Sequence, residues 1–413
     1  MNIVFIQPRS FHCWEALNIG YLIASLKQYS TANIDFFSGF YDTDQDIIQA
    51  CSRADMVGIS ATSPQMRHAL SLADSIKRIN PRAVIIFGGM HASALPEETL
   101  KHPCVDAVIT GEGEQAIVEV AAHPELYRNT KKILHKEYIA DLDTVPFPDR
   151  RAIKQERNIQ QAYQDNGIRI GSIFSSRGCP FSCRFCASSA VWEKTIRYRS
   201  AENILEEYER LTCDFTIDFV KFSDDTFTIK KDLVSNFCEL KIKSGNNVPW
   251  GCNVRADAIS NDLLKLMRAA GCAEVWIGVE SGSPRILKDM CKGITVPNIK
   301  RIFKATKELG FYRRAYMLLG MPNESMDDIR ASEELIDEIN PDAVGFTILA
   351  PYPGSSFYNH HIHRDVDWSQ VDEYGNMMTS TKHLSNAMLR SEQKRLVNKY
   401  RNKTVFRQKL AHV

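Results

Sequence analysis

Short apolar runs alternating with amphipathic stretches organise the first third of the chain. The runs at 3–6, 34–37, 56–59, 83–87 and 107–109 are largely continuous, which suits strands buried on both faces. Between them, residues 16–29, 65–79 and 114–122 place apolar residues at helical spacing, so the alternation predicts a doubly wound parallel sheet. Most of these strands end in small or glycine-rich turns, namely Ser60-Ala61-Thr62, Gly88-Gly89 and Gly111-Glu112-Gly113. They lie at the carboxyl edge, where such sheets bind ligands. Residues 141–151, with Pro146 and Pro148 around Phe147, resist both helix and central strand and mark a boundary.

A second alternation follows, with strand candidates at 168–174, 219–222, 250–254, 275–279, 315–319 and 344–349. Six such units fit an incomplete parallel barrel, whose chemistry belongs at the carboxyl ends of the strands. The expected fold is therefore α/β: a Rossmann-like doubly wound domain at 1–140, a linker at 141–164, a partial (β/α)6 barrel at 165–360 and a short helical extension at 361–413.

Composition narrows the partners only by exclusion. A length of 413 residues favours two domains, and a formal net charge of +1 gives no overall attraction to nucleic acid. Met1 leads directly into the strand-like Asn2-Ile3-Val4-Phe5-Ile6, and no apolar run reaches membrane-spanning length, so a cytoplasmic protein without a membrane span is expected. The basic stretch from 390 to 409 holds eight basic residues and one acidic, with Leu396, Val397, Tyr400 and Thr404 at helical spacing. It reads as a solvated helix face packed on the barrel or as a dock for an acidic surface, the first being preferred.

Eleven cysteines in a chain of this kind do not read as a disulfide framework, and three of them fall within eight residues. Ser176-Arg177-Gly178-Cys179-Pro180-Phe181-Ser182-Cys183-Arg184-Phe185-Cys186 follows the first barrel strand and spells CxxxCxxC. Three soft thiolates on a four-iron cluster leave one iron open to a ligand. A zinc site or buried free thiols are the alternatives, but closed structural zinc takes four ligands and no fourth is evident nearby.

This triplet resembles the signature of the radical S-adenosylmethionine superfamily, in which the open iron chelates the methionine part of the cofactor. Phe222-Ser223-Asp224-Asp225-Thr226-Phe227, Asn253-Val254-Arg255-Ala256-Asp257, Gly278-Val279-Glu280-Ser281-Gly282-Ser283, Leu319-Gly320-Met321-Pro322 and Pro351-Tyr352-Pro353-Gly354 resemble strand-end motifs of the branch that carries an N-terminal cobalamin-binding domain. Gly88-Gly89-Met90-His91 and Val108-Ile109-Thr110-Gly111-Glu112-Gly113-Glu114 resemble the last two strand ends of that domain. The likeness covers about residues 1–360 and does not specify a substrate.

The resemblance implies cluster ligation by Cys179, Cys183 and Cys186. It implies ribose contact by Glu280 with Ser281 beside it, and it offers Arg255 to the methionine carboxylate unless that fork pairs with Asp257 or Glu280. Asp224 and Asp225 end the second barrel strand and face the substrate or cap the next helix. Cobalamin would lie against Ser60, Thr62, Gly88, Gly89, Gly111, Glu112 and Gly113, with His91 either touching its nucleotide tail or serving the fold. No DxHxxG loop is present, so a protein histidine beneath the cobalt is not expected. A degenerate Rossmann domain without cobalamin is the alternative, because this domain is short for the branch.

Cys13, Cys51 and Cys104 raise a second cluster of the methylthiotransferase kind, but no cysteine follows Ala54-Asp55 as it does in those enzymes. The cofactors so implied are a [4Fe-4S] cluster, S-adenosylmethionine and cobalamin. The partners are a small-molecule or peptide substrate and a low-potential electron donor such as ferredoxin or flavodoxin. The implied activity is radical C-methylation of an unactivated carbon. Its rivals are a radical cyclisation or rearrangement and a non-catalytic cluster- or cobalamin-binding protein.

Overall fold

A computed structural model describes residues 1–363, 366–372 and 374–403. It divides into two units: Met1–Gln161 with Ala187–Glu193 and Tyr352–Gln370, and Ala162–Cys186 with Lys194–Pro351 and Val371–Val413. The fold is α/β in both.

In the first unit, β1 (Asn2–Gln7), β2 (Asn33–Ser38), β3 (Met56–Ser60), β4 (Val84–Gly88), β5 (Ala107–Thr110) and β6 (Lys132–His135) form one sheet in the order β2-β1-β3-β4-β5-β6. Every pairing is parallel. Val4, Ile6, Val57, Ile59, Ile85 and Phe87 pack with Met66, Leu72 and Ile76 of the helix Met66–Ile79. The intervening Ile3, Phe5 and Ile86 are equally buried, so helices cover both faces and the strands read as continuous apolar runs. The order reverses between β1 and β3, and in such sheets the crevice at that reversal is the ligand edge. Sequence pattern did not foretell β6, an edge strand in which only Leu134 is buried.

The second unit contains β7 (Ile170–Ile173), β8 (Ser176–Arg177), β9 (Arg197–Tyr198), β10 (Phe219–Phe222), β11 (Trp250–Val254), β12 (Cys272–Glu280), β13 (Tyr312–Leu319) and β14 (Ala343–Ile348). A curled parallel sheet runs β7-β10-β11-β12-β13-β14, the sequential order of an incomplete barrel, while β8 and β9 pair antiparallel beside it. Phe222, Cys252, Val275, Ile277, Ala315 and Phe346 point to the helix-covered face and are buried. Register puts Ser172, Lys221, Asn253, Trp276, Arg314, Tyr316 and Thr347 on the other face, where these mostly polar and partly covered positions adjoin a buried apolar cluster of Phe219, Trp276, Tyr312 and Ala343. Ser200, Ser260, Thr295 and Ser385 each cap a helix of this unit by accepting an amide three residues on.

The described part of the C-terminal basic stretch, 390–403, lies in the helix Asn386–Lys399 and the short 3-10 turn Arg401–Lys403 that follows it. Arg395 grips Glu333 with both terminal nitrogens, and Lys399 reaches Glu333 and Asp337 of the helix Met326–Ile339. These cations pack the helix within its own unit. Thr404 and everything to Lys409 lie outside the described residues.

Candidate functional site

The cysteine loop leaves β7 through Ser175 and Ser176, and a buried carboxylate fixes its start. Asp224, 1% exposed, accepts the Ser175 amide at 3.0 Å, the Ser175 hydroxyl at 2.7 Å and the Ser176 hydroxyl at 2.5 Å. Burial raises the Asp224 carboxyl above its ordinary range, and these hydrogen bonds oppose the shift. Asp224 therefore holds the loop base, and the helix that follows begins only at Lys231 and is not capped by it. Its neighbour Asp225 is exposed.

Cys179 and Cys183 are half-buried and Cys186 is exposed; none is in a disulfide. Burial raises the Cys179 thiol, and the Arg255 charge opposes that. Among the described residues, no three His, Cys, Asp or Glu side chains converge as the ligands of a single ion must. Three thiolates that each take a different iron have no such need, so the donor set fits a cluster with one iron left open.

Two strand ends face this loop. Arg255, just past β11, is 6% exposed and bound by both oxygens of Asp257 at 3.0 Å. Its guanidinium also donates to the Lys292 carbonyl at 2.6 Å, lies 3.6 Å from the Phe181 ring centroid, and brings Nη1 to 3.9 Å from Cys183 Sγ. The fork offered to a cofactor carboxylate is thus given to Asp257.

Glu280 ends β12 with φ of 63°, a left-handed value that costs a non-glycine residue energy and is found where a side chain must be aimed. Lys292 Nζ lies 2.7 Å from Glu280 Oε1 and 5.7 Å from the Phe185 ring centroid. Gly278 makes room for this pair, since a Cβ there would sit 2.5 Å from Glu280 Oε1 and 2.6 Å from Lys292 Nζ. Ser281 is fully buried, sharing a 3.2 Å contact with the Ser332 hydroxyl and accepting the Ser283 amide, so it shapes the turn after Glu280.

Sequence reasoning missed Lys292, Phe181 and Phe185. The left-handed Cys291 and Gly293 around Lys292 give a turn signal, but nothing in the sequence couples that turn to β12.

In the first unit the structure brings together Ser60, Thr62, Gly88, Gly89 and His91 at the adjoining ends of β3 and β4. Gly89, with φ of 90°, lies so close to the β3 loop that a Cβ would fall 2.9 Å from the Ala61 amide nitrogen. Ser60 accepts from Asn18 at 2.7 Å, and Thr62 forms a capping box with Gln65. His91 is buried, 2.9 Å from the Ser63 hydroxyl, and burial pushes its imidazole down to about 4. Gly111 donates its amide to Ser93, Glu112 accepts the Ile139 amide, and Gly113 admits Leu22 at close range. A Cβ on Gly88 or Gly111 would meet its nearest neighbours at 3.6 and 3.7 Å, ordinary van der Waals contact, so crowding does not require glycine at either position.

Comparison with known proteins agrees with this division. Residues 9–121 match the B12 binding domain family and residues 173–336 the radical SAM superfamily. The chain is also 32% identical over 324 residues to an uncharacterized methyltransferase of Pyrococcus horikoshii, covering 75% of this chain and 69% of that protein.

The chain belongs to the cobalamin-binding branch of the radical S-adenosylmethionine superfamily.

It is a radical S-adenosylmethionine enzyme whose cofactors are a [4Fe-4S] cluster, S-adenosylmethionine and cobalamin. A cytidylyl-2-hydroxyethylphosphonate methyltransferase of Streptomyces wedmorensis is 26% identical to it, covering 83% of this chain and 77% of that one. The solved methyltransferase TsrM of Kitasatospora setae shares the fold, with a TM-score of 0.70 at 16% identity over 86% of this chain and 75% of that one. Among the described residues no helix is long and apolar enough to cross a membrane.

Proposed function

We propose that this enzyme is a cobalamin-dependent C-methyltransferase acting on an unactivated carbon of a small metabolite or of a peptide or protein residue. The observation that carries the reading is the joining, in one chain, of a CxxxCxxC loop held by strand-end residues with a separate doubly wound sheet of the B12 binding family. When bound, the reduced cluster supplies the electron that splits S-adenosylmethionine into methionine and a carbon radical, and cobalamin supplies a methyl carrier.

The chain's own residues bind and orient. Cys179, Cys183 and Cys186 hold three irons. Glu280, pinned by Lys292, accepts hydroxyl hydrogens from the ribose. Ser281 and Asp224 position rather than touch the reactants, and exposed Asp225 faces the substrate. Ser60, Thr62, Gly88, Gly89 and Gly111 would hold cobalamin, with His91, Glu112 and Gly113 shaping that edge. Residues 141–164 link domains 1–140 and 165–360, a helical extension follows at 361–413, and ferredoxin or flavodoxin donates the electron.

A second reading has one observation in its favour: a relative in Rubrivivax gelatinosus, 27% identical over 391 residues, is an anaerobic magnesium-protoporphyrin IX monomethyl ester cyclase. Product mass separates the two. With trideuteromethyl S-adenosylmethionine and the substrate, methylation adds about 17 mass units, one hydrogen being replaced by the labelled methyl. A product without label overturns methyl transfer and favours the second reading.

A further inference from the structure

We propose that Arg255 is a positioning residue that sets the reduction potential of the cluster through Cys183. The inference rests on the reading that Cys183 is a cluster ligand. Arg255 is buried and has no freedom to swing: Asp257 holds Nε and Nη2, the Lys292 carbonyl takes Nη2 again, and the Phe181 ring stacks on the guanidinium face. What remains is Nη1, aimed at the Cys183 sulfur from 3.9 Å, the outer limit for an N–H···S hydrogen bond.

Phe181 lies between Cys179 and Cys183, so the same side chain that points at the sulfur also braces the turn that presents it. A hydrogen bond to a cluster thiolate, and a cation beside it, stabilise the reduced and more negative cluster and so raise its potential. Asp257 compensates the cation from the far side. Its side chain is 30% exposed against 6% for Arg255, so solvent screens the carboxylate more than the guanidinium. The two residues therefore act on the potential with opposite sign.

That opposition gives the test. Full-length wild-type, Arg255→Met and Asp257→Asn proteins are reconstituted anaerobically with iron and sulfide. Their midpoint potentials are then read by electron paramagnetic resonance during a redox titration without S-adenosylmethionine. Arg255→Met should move the potential to a more negative value and change the signal of the reduced cluster. Asp257→Asn, which keeps the cation and the stack, should move it to a more positive one. Arg255→Lys, which restores charge without the planar fork, should recover only part of the loss.

Unchanged potentials overturn the proposal. So does movement of both variants in the same direction, which is what simple loosening of the loop would produce. Should Arg255→Met fail to hold iron, the sign of the Asp257→Asn shift decides alone. A wild-type chain that takes up no cluster sinks the ligand assignment and this inference together.

Discussion

The two six-stranded parallel sheets are built from the same alternation of strand and helix yet spend their polar residues differently. In the first, the interiors of β1 and β4 are apolar and buried on both faces, and β1 is polar only at its end residues Asn2 and Gln7. In the second, β14 alternates buried with half-open positions, and Lys221, Asn253, Arg314 and Tyr316 sit within strands. A sheet covered on both sides can bind only at its edge, whereas one with an uncovered face can line a cavity along its strands.

The same contrast appears in two buried aspartates. Asp106, fully buried in the first unit, accepts the Ile85 and Asn129 amides at 2.7 and 2.8 Å and pairs with Lys77 at 2.6 Å, joining β4 to the approach to β6. Asp224 makes comparable bonds in the second unit, but to the base of the cysteine loop. One carboxylate holds the fold and the other holds a site.

Removing each aspartate breaks the comparison apart. Asp106→Ala strands the Lys77 ammonium and two amides, and should cost about 3–5 kcal/mol, the range for breaking a buried ion pair. Thermal unfolding should show this as an early transition with iron content unchanged. Asp224→Ala should cost about 1–3 kcal/mol for the buried donors it abandons, with iron lost to a chelator faster than in wild type. If the two variants exchange phenotypes, the division of labour is wrong.

Glu280→Ala should weaken S-adenosylmethionine binding by about 1–3 kcal/mol, the cost of hydrogen-bond partners left unpaired, and leave the iron count alone. Equilibrium binding to the reconstituted protein measures it, and unaltered affinity would make Glu280 a purely structural partner of Lys292.

A smaller effect concerns Glu324, buried beyond the end of β13, where desolvation pushes its carboxyl up to about 7. A carboxyl whose folded value exceeds its unfolded one stabilises the fold while protonated. That contribution is complete below about pH 4.3 and is lost as pH rises toward 7. Glu324→Gln should therefore flatten the decline in stability across that window, and an unchanged pH profile would contradict the assignment.

Much of this was legible in the sequence because periodicity and chain order carry it. Ten of the long parallel strands fell on expected apolar runs, and β7 on part of one, because their buried faces are written locally as Val, Ile and Phe. β6 was not foreseen, because an edge strand with one buried residue leaves no apolar run. The pair β8 and β9 was hidden for a similar reason: Ser176-Arg177 and Arg197-Tyr198 are two residues each, and their pairing spans the whole cysteine loop.

The cysteines were visible because three ligands cluster in eight positions. Their supports were not, since Ser175 meets Asp224 across 49 residues and Arg255 meets Lys292 across 37. Arg255 also shows the limit of reading a side chain by type. A planar fork is equally fit for a ligand carboxylate or for Asp257, and only the fold decides which it meets.

The most direct test of the central claim is the iron itself. Anaerobically reconstituted wild-type protein should hold about four irons per chain, as three thiolates on a four-iron cluster require. On reduction it should cleave S-adenosylmethionine, while the variant with Cys179, Cys183 and Cys186 all replaced by Ala should lose both the iron and the cleavage. A triple variant that keeps its iron and still cleaves S-adenosylmethionine would contradict the account.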